Sequence, residues 1–511
     1  MRLHPTCLLA PLGLLALSLS LGAQMPAAPT TSAPGVALPP GDGRDALISG
    51  CNRCHLVTTV LGRQRTRDEW SAVVADMRAR GAVVADGDVP GIVTYLSTHF
   101  APGSPAPAAG QGPRGGVFVL TGRVPDAPPV VGQPLETRGP NGAGQTPAFP
   151  GQTRALAVRT TTPVTTTVVT ERLQHPWSLA FLPDGRMLVT EKPGTMRIVT
   201  SSGAVSDAIG GVPKVAYGGD GGLLDVVLDP VFRSNRQIFF TFVESRGGGS
   251  GLAVARARLR DDDAALEDVT VLLRVDPARP MPAHFGSRLL FDREGKLLVT
   301  VGERFEPALR VKAQDLDSRL GKVLRINPDG TPAPGNPLVG TTGALPEIWS
   351  YGHRNSQGLA WHPDTGALWS IEHGQAGGDE INIIKRGMNY GWPLVAYGTE
   401  YDLRPINGGR TSAPGMEQPA YYWDPAIGPT GMAFYNGDLI PEWKGNLFVA
   451  SHNGQHIARL VLDGERVTGE ERLLMDQRQM MRWVGQGPDG ALWVLTDNAG
   501  GRVIRLAPAG R

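Results

Sequence analysis

One pattern recurs through the trailing part of this 511-residue chain and constrains its fold more than any other feature: an apolar strand, a Pro-Asp-Gly type of turn, and a second apolar strand. It is read at Leu179-Ala-Phe-Leu-Pro-Asp-Gly-Arg-Met-Leu-Val-Thr, from Val226-Val-Leu-Asp-Pro to Ile238-Phe-Phe-Thr-Phe, and at Leu289-Leu-Phe-Asp-Arg-Glu-Gly-Lys-Leu-Leu-Val-Thr. It returns at Leu359-Ala-Trp-His-Pro-Asp-Thr-Gly-Ala-Leu-Trp-Ser, from Met432-Ala-Phe-Tyr to Asn446-Leu-Phe-Val-Ala, and at Val484-Gly-Gln-Gly-Pro-Asp-Gly-Ala-Leu-Trp-Val-Leu. Further alternating strands follow, such as Val323-Leu-Arg-Ile and Ile457-Ala-Arg-Leu-Val-Leu. Strand pairs repeated with the same turn chemistry predict a mainly β fold, a six-bladed β-propeller over 166–508, because each unit can bury its apolar face only against the next. A β-sandwich explains the strands but not the recurrence. Propellers carry their chemistry on loops at one end of the central channel, so polar clusters there are the candidates for function.

The chain is long for one domain, and its 67 Gly and 44 Pro leave room for few long helices. Lys plus Arg (49) nearly cancels Asp plus Glu (48), without a long basic run, which argues against nucleic acid as a partner. Arg2 before the apolar run Leu8 to Leu21, then Ser20, Gly22 and Ala23, reads as a signal peptide over 1–23. The expectation is a periplasmic protein with no membrane span in the mature chain. A retained anchor is the other reading, disfavoured because the run is short for a bilayer.

Two cysteines remain outside that leader, in Cys51-Asn52-Arg53-Cys54-His55. They lie too close together to staple a large fold, and Cys-x-x-Cys-His is the haem c attachment signature: thioether bonds from Cys51 and Cys54, with His55 as proximal ligand to the iron. Trp70, Val73, Val74 and Met77 share one helical face, and Ile92, Val93 and Leu96 mark another helix ending near His99. These predict a small all-α haem domain over 40–103. Met77 is either the distal iron ligand or a core residue, and His99 is the weaker ligand candidate. Residues 104–165, with Ala101-Pro-Gly-Ser-Pro-Ala-Pro at the border and Gly139-Pro-Asn-Gly-Ala-Gly inside, are too rich in Pro and Gly for a core and read as an extended linker.

Two resemblances sharpen these expectations. Cys51 to Phe100 resembles the small cytochrome c domains that accompany periplasmic quinoproteins. The trailing part holds the stretches His284-Phe-Gly-Ser-Arg288-Leu, Ala313-Gln-Asp-Leu-Asp, Gly321-Lys-Val-Leu-Arg-Ile-Asn, Glu347-Ile-Trp-Ser-Tyr-Gly-His-Arg-Asn-Ser-Gln-Gly, Glu372-His-Gly, Gly378-Asp-Glu-Ile-Asn and Asn389-Tyr-Gly-Trp-Pro. Through them Leu173 to Leu506 resembles the soluble glucose and sorbosone dehydrogenase family, whose members, including aldose sugar dehydrogenases, oxidise sugars with pyrroloquinoline quinone (PQQ). The resemblance implies His284 as the general base and Arg304 as the cation that polarises a quinone carbonyl. It implies Trp423 at the cofactor face, Arg482 on a cofactor carboxylate, and calcium held by the backbone of Gly374 and Gln375. Asp379 and Glu380 are candidates for a second calcium site.

The sequence also departs from that family. Asp220 stands where a glutamine is usual, Asn453 replaces a lysine and Met480 an arginine of the PQQ pocket, and Phe305 follows the activating arginine in place of a polar residue. A cofactor with three carboxylates needs cations, so either His452, Arg478 or Arg310 stands in, or the quinone has been lost. The expected function is a quinohaemoprotein dehydrogenase that oxidises a sugar or related alcohol and passes electrons through haem c to a soluble or membrane acceptor. The alternative is a noncatalytic haem-tethered propeller that binds a carbohydrate or a protein without PQQ.

Overall fold

The structure, a computed structural model, describes residues 38–39, 41–51, 64–79, 84–104, 129–401 and 403–510, with the backbone alone at 48–51, 76 and 79. The leader 1–23, Cys54, His55 and linker positions 105–128 lie outside the described residues.

Each of the six repeats becomes the two innermost strands of a blade. The inner strands are Pro176–Phe181, Leu223–Leu228, Gly286–Phe291, Ser356–Trp361, Pro429–Phe434 and Met481–Gln486, and each packs beside the next in a ring that closes from the sixth onto the first. The ring is locked by chain ends: Val164–Gln174 pairs antiparallel with Ala499–Pro508, so a strand from before the first blade completes the last. The sixfold β-propeller expected from the repeats is the fold observed.

All six inner strands carry a register shift at their start, which turns backbone N–H groups away from the ladder. In the first three blades a threonine on the second strand resolves this. Thr190, Thr241 and Thr300 accept from the N–H of Ser178 (3.1 Å), Asp225 (2.9 Å) and Arg288 (2.9 Å). The same hydroxyls donate to the carbonyls of Leu224 (2.5 Å), Ser287 (3.0 Å) and Ser356 (2.9 Å) in the following blade. One small side chain thus satisfies its own bulge and ties consecutive blades together.

On the axis, Arg288 of the third blade joins it to four others. It donates to Asp225 Oδ1 (2.9 Å) and to the carbonyls of Gln357 and Thr430 (both 3.0 Å), and lies over the Trp177 ring at 4.4 Å. Asp225 also accepts from Ser178 Oγ (2.5 Å) and the Leu289 N–H (2.7 Å). An axial cavity of about 290 Å³ has this pair in its wall and apolar residues such as Leu179, Leu359, Met432 and Trp483 around it.

Ahead of the propeller, helices α1 (Arg44–Cys51), α2 (Arg67–Ala79) and α3 (Val89–His99) surround a core of Leu47, Trp70, Val74, Ile92, Val93, Tyr95, Leu96 and Phe100. Trp70 Nε1 donates to the Phe100 carbonyl (3.1 Å) and closes α2 onto α3. Cys51 ends α1, Met77 is half-buried on α2, and the His99 ring lies 4.7 Å from that of Tyr95. No helix among the described residues is long and apolar enough to cross a membrane.

The described part of the linker, 129–163, lies against the propeller as a strap. Leu156–Ala157 adds a parallel fifth strand to blade five. The Asn141 and Gly142 N–H groups both bind the buried carboxylate of Asp424 (2.9 Å each), and Arg154 reaches the Asp424 carbonyl (3.0 Å).

Candidate active site

The start of every inner strand and the end of every second strand lie at the same end of an antiparallel blade, so residues just outside them meet around one mouth. His175, Asp220, His284, Arg354 and Met480 lie at or just before inner strands, and Lys192, Glu303, His373, Asn453 and Asp497 at or just after second strands.

His284 is buried in this mouth, and its Nδ1 lies 2.7 Å from Glu303 Oε1. Its backbone N–H is held by Asp220 Oδ2 (2.9 Å), and the Phe305 ring packs edge-on at 4.7 Å. Gly302, beside Glu303, lets the two segments pass: a Cβ there would stand 2.4 Å from the His284 carbonyl oxygen. His284 (φ 51°), Arg304 (φ 75°) and Phe305 (φ 58°) are all left-handed, strain of the kind that persists where a site over-determines its backbone. Burial, then the Arg354 charge, holds the imidazole well below its ordinary pKa, while burial pushes Glu303 up to about 7. The dyad therefore presents a neutral imidazole whose Nδ1 is engaged, leaving Nε2 as its base.

The cations divide into two groups. Arg354 Nη2 donates to Gln375 Oε1 (2.5 Å), Gln375 Nε2 donates to Glu400, and Arg310 forks onto Glu400 (2.6 and 3.2 Å). Both guanidiniums lie over Trp392, at 5.2 Å for Arg354 and 5.4 Å for Arg310. Across the mouth, Asp497 is a fully buried hub for His175 (3.0 Å), Arg482 (Nε at 3.1 Å), Lys192 (3.9 Å) and His452 (3.5 Å). Burial opposes its ionisation, but the Lys192 and Arg482 charges outweigh this and hold its carboxyl well below the usual range.

Several expectations need correction. Arg304 does not face the mouth: it is buried over Phe285 (4.1 Å) and donates to the carbonyls of Ser250 (2.8 Å), Met281 (2.5 Å) and Ala283 (3.1 Å). It shapes the loop before His284 and is not a cation held for a ligand. Trp423 lies on the outermost strand of blade four, far from the axis by topology, with Nε1 on Glu470 (3.2 Å). Asp379 and Glu380 are successive residues of the strand Asp379–Ile384 and point to opposite faces, so they cannot share an ion. Asp379 is moreover spent on the N–H groups of Gly374 (2.8 Å), Ile427 and Gly428 (2.7 Å each). Arg482 reaches the mouth already paired, Asn453 is exposed, and Arg478 is exposed beyond the turn Met475–Gln477.

Buried atoms without a protein partner among the described residues include His373 Nε2, Glu303 Oε2, Arg354 Nε, Arg310 Nε and Trp392 Nε1, belonging to the residues that ring His284 or adjoin that ring. Such orphans are costly and suit a polar, anionic ligand with a flat face, so the residues fit a quinone of the PQQ type. Calcium fits poorly at the Gly374–Gln375 turn, because the Arg354 guanidinium already donates to the carbonyls of His373 (3.1 Å) and Gly374. Among the described residues no group of three or more His, Cys, Asp or Glu side chains is placed to hold a metal.

Sequence reasoning missed Glu303, Arg354, His373, Lys192 and Asp497. The available signal was spacing: four of the six blades place one residue before the inner strand and another 17–19 positions on, at 175/192, 284/303, 354/373 and 480/497.

Fold and mouth together define a propeller with a buried histidine–glutamate pair and two arginines gathered over a tryptophan at one end of its channel. The model of the glucose/sorbosone dehydrogenase family matches residues 173–505, and the chain belongs to that family. It is 42% identical over 344 residues to the aldose sugar dehydrogenase YliI of Escherichia coli, covering 67% of this chain and 92% of the relative. The apo-form structure of soluble aldose sugar dehydrogenase from Escherichia coli superposes with a TM-score of 0.65 at 41% identity, over 68% of this chain and 99% of that one. The PQQ-bound aldose sugar dehydrogenase of Streptomyces coelicolor gives 0.56 at 29% identity, over the same shares of 68% and 99%.

Proposed function

We propose that this protein is an exported, periplasmic quinohaemoprotein that oxidises an aldose sugar or related alcohol with PQQ and passes electrons through haem c to a soluble or membrane acceptor. The observation that carries the catalytic reading is the His284–Glu303 bond of 2.7 Å in the mouth of a sugar dehydrogenase propeller. Bound PQQ would supply the hydride acceptor for the sugar C–H bond. His284 Nε2 takes the hydroxyl proton, Glu303 fixes the tautomer and balances the imidazolium, and Asp220 holds the loop in place. Arg354 and Arg310 would meet the cofactor's carboxylates or quinone oxygens, and Trp392 and Phe305 supply flat walls. The haem part of the reading rests on Cys51-Asn52-Arg53-Cys54-His55, supported by the small helical core that follows it.

The test is calorimetric titration of the haem-loaded protein with PQQ, followed by a panel of aldoses with haem absorbance as readout. Sugar-dependent reduction of the haem is the expected result. Failure of PQQ to bind would leave the second reading, a haem-tethered recognition propeller, which the carboxylate of Asp220 at a cofactor position favours. In the double variant Cys51→Ser/Cys54→Ser, covalent haem is expected to vanish while sugar-dependent reduction of an artificial dye continues.

Calcium offers a separate prediction. Because Arg354 occupies the carbonyls of the 373–374 turn, PQQ affinity is expected to stay within about threefold when calcium is removed by a chelator, since no site-bound metal charge is lost. Loss of binding in the chelator would mean that the guanidinium yields those carbonyls to the metal.

A further inference from the structure

We propose that Gln145, in the strap outside the family match, is a positioning residue for the active site, holding the loop that sets the Glu400–Arg310–Gln375–Arg354 chain beside His284. The proposal rests on the reading of that mouth as the catalytic site. The Gln145 side-chain amide behaves like a neighbouring strand. Its Oε1 accepts from the Gly398 N–H (2.7 Å), and its Nε2 donates to the carbonyls of Gly398 (3.1 Å) and Ala396 (3.3 Å).

That grip falls where the loop has no slack. Gly398 is left-handed (φ 79°), and a Cβ on it would stand 2.4 Å from the Gly377 carbonyl oxygen. The next residue, Thr399, exchanges both backbone bonds with Ala376 (3.0 Å each), which fixes the turn that carries Gln375. Glu400 follows directly and receives both Arg310 and Gln375, and Gln375 in turn holds Arg354. Four short links therefore run from the strap to Arg354, the cation whose charge weighs most on the dyad. At the other end Gln145 is itself anchored. Its N–H donates to the Gly142 carbonyl (3.0 Å), and Gly142 and Asn141 are pinned on Asp424.

The strap is not part of what makes the propeller. The family match begins at residue 173, and a solved relative is matched over 99% of its own chain by 68% of this one. A segment added ahead of a self-sufficient ring, yet hydrogen-bonded to its active-site loop, is placed to tune the site without being needed to build it.

The test compares Gln145→Ala and the volume-conserving Gln145→Met with the control Thr160→Val. The control removes the Thr160 hydroxyl's bonds, donated to Glu471 (2.6 Å) and accepted from Trp443 (2.8 Å), on the blade-five side, while its backbone N–H keeps its own bond to Glu471 (2.8 Å). The charged and titratable groups that face the dyad are Arg354, Arg310, Asp220 and His373, and the charge of Arg304, turned onto the carbonyls behind it, is felt there as well. Withdrawal of Arg354 removes positive charge from beside Glu303. The midpoint for protonation of the dyad, read from the imidazole nitrogen shifts of His284 in the cofactor-free protein, should therefore move up by about half a pH unit or more. Amide exchange at Gly398 and at 374–376 should quicken in both Gln145 variants and not in the control. In the loaded enzyme the acidic limb of kcat/KM should move with the midpoint, and the sugar KM should rise several-fold.

An unchanged midpoint and unchanged exchange at 374–376 in the Gln145 variants would overturn the proposal, as would an equal shift in Thr160→Val. An inactive wild type would count against the proposed dehydrogenase alone, because midpoint and exchange are read without cofactor or sugar.

Discussion

Glu303→Gln is expected to lower kcat by about two to four orders of magnitude, a scale set by the loss of an oriented general base. His284 has one nitrogen engaged by Glu303 and the other left for substrate. While Glu303 is ionised, it accepts from Nδ1–H and leaves the Nε2 lone pair free. Once protonated it donates to Nδ1, the ring proton moves to Nε2, and the base is lost. Burial puts this change at about pH 7, so kcat/KM should rise with one proton's slope as pH increases through that point and level off above it. Glutamine, always able to donate, should abolish that limb along with most of the rate. His284→Ala should match the loss in kcat and leave PQQ affinity within a few-fold, a distinction calorimetry resolves. An Glu303→Gln enzyme retaining more than a tenth of wild-type kcat would remove the dyad from the mechanism.

The second large effect concerns stability. Arg288→Met keeps the volume on the axis but strips Asp225 of its counter-charge and frees two inner-strand carbonyls, of Gln357 and Thr430. Removing one partner of a buried ion pair costs about 3–5 kcal/mol, because the remaining charge is left in a low dielectric. A fall in Tm on the order of 10 °C should follow. Arg288→Met/Asp225→Asn should recover part of this, since the second change removes the unpaired charge while asparagine's oxygen can still accept from the Leu289 N–H. A single variant as stable as the wild type would show that the axial pair contributes nothing net.

How far the site was legible differs residue by residue. His284 carried its signal in the string His284-Phe-Gly-Ser-Arg288, and the structure buries it at the mouth, 2.7 Å from Glu303. Arg304, three positions beyond the β-strand Leu297–Val301 and equally well matched, did not, because the left-handed backbone at Arg304 turns its side chain onto the carbonyls of 250, 281 and 283. Asp379 and Glu380 read as an acidic pair, yet the period of a strand separates their faces. Arg354 and His373 lay inside stretches already quoted and were passed over, since their charge and burial mean little until blades three and four are side by side.

The sequence by itself determined the architecture. Six strand–turn–strand units can bury their apolar faces only against one another, and that local, repeated pattern needs no knowledge of distant partners to be read. It also determined the family and the histidine at the mouth. What only the tertiary structure decided is which charges remain available. Lys192 of the first blade meets Asp497 of the last, Arg310 meets Glu400 across 90 residues, and the strap's Gln145 meets Gly398 across 253. Whether a cation is free for a ligand depends on such partners, and hydrogen bonds between segments far apart in the chain leave no trace in the pattern of either segment alone.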